Sequence, residues 1–80
     1  MNGRPDGAGM GGGRVSLLVN GEEIEVSVGT TVDDIVRRIV ASPTGVAVAR
    51  NDEVVPKSLW EETVVSDGDR IEVLTPAQGG

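Results

Sequence analysis

Two runs of alternating hydrophobic residues open the patterned part of the chain. Val15, Leu17 and Val19 recur at every second position, and Ile24, Val26 and Val28 do so a little further on. Asn20-Gly21 lies between the runs, a pair that favours the two-residue turn of a β-hairpin. Glu23, Glu25 and Ser27 fill the gaps in the second run. That strand therefore has one wet face and is expected at a sheet edge.

The period then changes. Val32, Ile35, Val36, Ile39 and Val40 fall at helical spacing. Thr30 or Thr31 can cap the helix, and Asp33 and Asp34 suit the positive end of its dipole. Arg37 and Arg38 lie nearer the other end, and Pro43 stops it. A short helix rich in β-branched residues needs a sheet beneath it to persist.

The remainder reads as strands and turns. Residues 46–50 predict a strand, Asn51-Asp52 a turn, and Glu53–Val55 a short return strand. "KSLWEET" predicts one helical turn, with Leu59 and Trp60 covering the end of the core. "VVSDGD" is a turn, and "RIEVLT" a final strand with Ile71 and Val73 on one face, ended by Pro76. One helix among such strands implies an α+β layer. The β-grasp topology fits: about five strands in a mixed sheet, order 2-1-5-3-4, with the last strand parallel to the first. Residues 1–13, "MNGRPDGAGMGGG", are too poor in apolar surface to order and read as a disordered leader, with Met10 an alternative start. The domain then spans 14–75, and 76–80 form a flexible tail.

Composition narrows the chemistry. The chain has 80 residues, a net charge of −6, no cysteine, no histidine and one aromatic, Trp60. A chain this short buries only about 60% of its unfolded surface, so the core is small. Disulfides, thiolate or imidazole metal sites and Cys- or His-based nucleophilic catalysis are excluded. The negative charge disfavours nucleic acid and favours a basic partner. No apolar run is long enough for a membrane-spanning helix, and no secretory h-region is visible, so a cytoplasmic monomer is expected.

Several candidate sites yield to simpler explanations. Gly7, Gly9 and Gly12 match a dinucleotide fingerprint formally, but no strand precedes them and a strand follows. Asp67-Gly68-Asp69 lacks the further ligands of a calcium loop and suits a turn. The pairs Glu22-Glu23, Asp33-Asp34 and Glu61-Glu62 are sequence neighbours whose side chains diverge. No metal site is expected.

Two features do suggest function. If the first and last strands are neighbours, Leu18 and Leu74 lie side by side on the face away from the helix, with Ala47 or Ala49 and Arg50 extending it. An apolar patch at the root of a tail suggests partner docking. The tail itself ends in Gly79-Gly80. Lacking Cβ atoms, two glycines can thread a channel too narrow for other residues, and the terminal carboxylate is a chemical group that a partner enzyme could activate as an acyl-adenylate. No nucleotide motif is present, so ATP for its activation must be bound by a partner.

These features together resemble the ThiS family of ubiquitin-like sulfur carriers. The likeness lies in Asn51, Val55-Pro56, Lys57, Trp60, Gly68-Asp69 before the last strand, "VNGEEIEV", the Thr31-Val32 helix start and the closing Gly-Gly. It spans residues 14–80. The Gly-rich leader and Gln78 depart from the pattern. The resemblance implies a co-substrate in thiamin biosynthesis, with no catalytic side chain. An E1-like adenylyltransferase of the ThiF/MoeB type, with ATP and magnesium, would adenylate Gly80. A cysteine-derived persulfide would convert it to a thiocarboxylate, and thiazole synthase (ThiG) would take the sulfur. Gly79 would allow passage, and Leu18 and Leu74 would dock the partners. A carrier for molybdopterin or cysteine synthesis, a modifier forming isopeptide bonds, and an interaction module whose tail is never activated remain alternatives.

Overall fold

The computed structural model describes residues 13–76. Residues 1–12 of the expected leader and residues 77–80 of the tail lie outside them. Five strands form one sheet in the order β2-β1-β5-β3-β4, as the β-grasp reading requires. They are β1 (Arg14–Val19), β2 (Glu22–Ser27), β3 (Ala47–Arg50), β4 (Glu53–Val54) and β5 (Arg70–Leu74), with one helix, α1 (Val32–Ile39). β1 and β5 are parallel, and the other neighbouring pairs are antiparallel.

The hairpins form where the turn chemistry allows. Asn20 and Gly21 have φ of 50° and 84°, and Asn51 and Asp52 have 51° and 72°. Two consecutive positive φ values match the twist of tight hairpins, and Asn, Asp and Gly tolerate them best. The β1–β2 register sets Leu17 opposite Ile24 and Val15 opposite Val26. Gly13, expected in the leader, extends this margin: its carbonyl accepts from the Val28 amide at 3.0 Å. Val28 is exposed, contrary to its place in the alternation. β2 ends at Ser27 and the chain turns at Gly29, so the period-two pattern outlasts the strand.

Thr31 caps α1, and Asp34 closes a capping box by accepting from the Thr31 amide. Asp33 pairs with Arg37 one turn later. Val32, Ile35 and Val36 pack on the inner sheet face, where Leu17, Val19, Val26, Val48, Ile71 and Val73 are buried. Ile39 is exposed, being the final residue of the helix. Trp60 is fully buried and donates from Nε1 to the Val55 carbonyl at 2.9 Å. Leu59 stays exposed, so Trp60 alone of that pair covers the core.

The segment after Trp60 straps the start of the helix. The amides of Val32 and Asp33 donate to the carbonyls of Thr63 and Trp60, and Val65 donates to Thr30. Helix-start amides lack partners within the helix, so these carbonyls complete them. Val65 is buried by this strap and joins the core, a role that the turn reading of "VVSDGD" left out. Among the described residues, no helix is long and apolar enough to cross a membrane.

Candidate functional site

The end of β5 is the root of the tail, so the forces holding β5 define the site. β1 and β5 share only two register pairs, Leu18 with Arg70 and Val19 with Ile71. Asparagine side chains from the two hairpin turns extend that grip. Asn20 Oδ1 accepts from the Val73 amide at 2.8 Å, and Asn51 Oδ1 accepts from the Arg70 amide at 2.9 Å. Backbone bonds accompany them, from Asn20 N to Ile71 O and from Asn51 N to Arg70 O. The sequence marks both asparagines as turn residues. Their second role has no local signal, because it depends on which strand the turn abuts.

Asp69 fixes the start of β5. Its carboxylate is buried and accepts from the Ser66 amide at 2.7 Å, Arg50 Nε at 2.8 Å and Asn51 Nδ2 at 3.0 Å. Burial disfavours its charge, but these three donors outweigh burial and hold the carboxyl below its ordinary range. Asp67 Oδ1 accepts from the Ser16 amide and Gly68 N donates to the Ser16 carbonyl, both at 2.7 Å. The 67–69 turn is thereby bolted to β1. Its acidic groups serve the fold, as the turn reading expected. Among the described residues, no three acidic side chains stand where they could hold a metal ion.

The outer face carries the expected docking residues. Leu18 and Leu74 both project there and are 42% and 62% exposed. They are not side by side. The register sets Leu18 level with Arg70, and Leu74 lies four residues further on, about 13 Å at strand spacing. Leu18 instead neighbours Glu23 on β2. Leu74 neighbours Ala47, and Ala49 neighbours Val54, which is 75% exposed. The apolar strip at the tail root is therefore Leu74, Ala47, Ala49 and Val54, with Glu72 beside Ala49. The sequence places Val54 in the return strand, which the structure ends at Val54 and not Val55, but its position beside Ala49 on the outer face follows only from the register.

Arg50 does not extend this strip. It shares the face of Ile71, and its guanidinium turns to Asp69 and to Ser66 Oγ. Gly79 and Gly80, the expected passage and reacting residues, lie outside the described residues.

The pattern of residues 13–80 matches the model of the ThiS family. The chain belongs to that family. A ThiS crystal structure from Geobacter metallireducens, described as a thiamine biosynthesis protein, is similar with a TM-score of 0.69 and 32% identity, covering 82% of this chain and all of that one. The sulfur carrier protein ThiS of Escherichia coli is 29% identical over 66 residues, 82% of this chain and its own entire length. A thiazole synthase of Paramagnetospirillum magneticum is 38% identical over 66 residues. This chain spans only 20% of that relative's length, so the likeness is confined to one segment of a longer polypeptide.

Proposed function

We propose that this protein carries sulfur for thiazole formation in thiamin biosynthesis, on the carboxylate of Gly80. The observation supporting this most strongly is the match to the ThiS family over residues 13–80, the whole domain together with the glycine tail. The thiazole synthase that contains a similar segment supports thiazole synthase as the partner that accepts the sulfur.

The chemistry follows from the terminal group. A carboxylate is a poor acyl donor. Attack of its oxygen on the α-phosphorus of ATP releases pyrophosphate and leaves an acyl-adenylate. The terminal sulfur of a protein persulfide then attacks the acyl carbon, and AMP departs. Cleavage of the resulting S–S bond by a second thiol leaves the thiocarboxylate on Gly80 and a disulfide on the donor side. ATP and magnesium are bound by the activating enzyme. The domain's part is to dock and present the tail. Leu74, Ala47, Ala49 and Val54 supply the docking strip beside the tail root, and Leu18 a separate contact across the sheet.

The test is intact mass. The full chain is incubated with an E1-like adenylyltransferase, ATP, magnesium and a persulfide donor. The expected result is a gain equal to replacement of one oxygen by sulfur, absent when Gly80 is deleted. No gain with any adenylyltransferase of this type overturns the proposal. Attachment to lysines of another protein would point to a modifier instead.

A further inference from the structure

The loop between α1 and β3 meets the chain where it leaves β5. Val46 N donates to the Pro43 carbonyl at 3.1 Å, closing a turn in which Gly45 has a φ of +76°. At that turn position a positive φ favours glycine. The glycine has a second reason to be there. A Cβ built on Gly45 would lie 3.2 Å from Cγ of the Pro76 ring, 3.5 Å from its Cβ and 3.7 Å from its Cδ. The proline ring therefore lies against the open side of Gly45. Around this contact is a groove of about 400 Å³ lined by residues that include Val40, Ser42, Val46, Thr75 and Pro76.

Two restraints thus coincide two residues after the strand ends. Proline fixes its own φ near −65°, and the ring is seated on a loop that leads directly into β3, whose first residue Ala47 pairs with Leu74. The four residues beyond Pro76 reach at most about 14 Å when extended. Over so short a span, the starting point and direction of the tail decide where its terminal carboxylate can go.

We propose that Gly45 and Pro76 form an anchor that aims the tail, making both of them positioning residues for the reaction at Gly80. This rests on the sulfur-carrier reading. The anchor acts after docking: the partner recognises the sheet face, and the seated proline delivers the carboxylate without a further search. Releasing one backbone residue at this point costs on the order of 5- to 30-fold in productive placement. The loss falls on kcat, since the docking strip is unchanged.

The experiment compares the full-length protein with Gly45→Ala and Pro76→Ala. Pro76→Ala leaves the Gly45 turn intact, and buried Trp60 reports by fluorescence whether each variant is folded. Pyrophosphate release by the activating enzyme gives kcat and KM for the carrier. NMR gives the Thr75 amide order parameter and the contact between the Gly45 Hα protons and the Pro76 ring. The expected result is a kcat lowered within that range at unchanged KM in both variants, with a looser Thr75 amide. Wild-type kcat in folded Pro76→Ala overturns the positioning role, as does a loss confined to KM. Absence of the Gly45–Pro76 contact in the wild type overturns the anchor and leaves the carrier reading standing. If the wild type releases no pyrophosphate while that contact is present, the carrier reading fails and the positioning role falls with it.

Discussion

The side-chain oxygen of Asn20 stands in for a backbone carbonyl toward Val73. In a continuing parallel ladder, Asn20 would donate to Ile71 and accept from Val73 through its main chain. It does donate, at 2.9 Å. At φ 50° the main chain has already turned away, and Oδ1 accepts from Val73 at 2.8 Å instead. One residue thus makes the hairpin turn and lengthens the grip on the strand that bears the tail.

Substitutions at Asn20 separate these two roles. Asn20→Gly keeps the turn and removes the acceptor, and is expected to lower unfolding free energy by about 1–2 kcal/mol. Asn20→Asp keeps an acceptor and should lose less. Urea unfolding followed by Trp60 fluorescence measures both. A Gly variant as stable as the wild type would show that the Val73 bond contributes nothing.

Asp69 makes stability fall in acid. Its folded pKa is depressed below the unfolded value because three donors favour the charged form. The stabilisation is therefore complete above the unfolded value, about 3.9, and is lost as pH falls from there through the folded value. Asp69→Asn should flatten the part of the stability–pH curve below about pH 4 that this residue contributes. It should also cost about 1.5–3 kcal/mol near neutral pH, the range for hydrogen bonds to a charged group. An unchanged acid limb in the variant contradicts this account.

Trp60 is the largest fully buried side chain. Trp60→Ala should cost about 3–5 kcal/mol, a large share of the total for a domain of this size, about 4–12 kcal/mol. Thermal unfolding followed by circular dichroism reads the loss. A small shift would mean that the surrounding core collapses into the vacated space.

Substitutions on the outer face test docking apart from folding. Leu74→Glu and Val54→Glu change exposed positions and should alter stability by no more than about 0.5 kcal/mol. Both should reduce kcat/KM with the activating enzyme through KM. Leu18→Glu, beside Glu23 and some 13 Å from Leu74 along the strands, should have the weaker effect. Equal losses at all three would indicate a footprint covering the whole face.

Much of this architecture can be read from the chain because its signals are local. The Asn20-Gly21 turn, the alternation of Leu17 and Val19, and the spacing of Val32, Ile35 and Val36 each report a face within a few residues. The sheet order follows once the last strand joins the first. The remainder depends on neighbours distant in sequence. Asp69 is buried where Arg50, at the end of β3, and Asn51, in the turn after it, reach its carboxylate, and Val65 is buried where its amide donates to the helix start. Nothing adjacent to either residue signals this. The offset between Leu18 and Leu74 has the same origin. Parity puts both on one face, but only the register of the parallel pair fixes how far apart they lie.

Isotope tracing reads whether sulfur travels on Gly80. A persulfide donor carrying heavy sulfur is supplied with the activating enzyme and ATP, the protein is cleaved, and its C-terminal peptide is weighed before and after addition of thiazole synthase and its other substrates. Heavy sulfur is expected on the peptide containing Gly80 and then lost from that peptide as it enters the thiazole. Thiazole formed with heavy sulfur that never appears on that peptide would contradict this route.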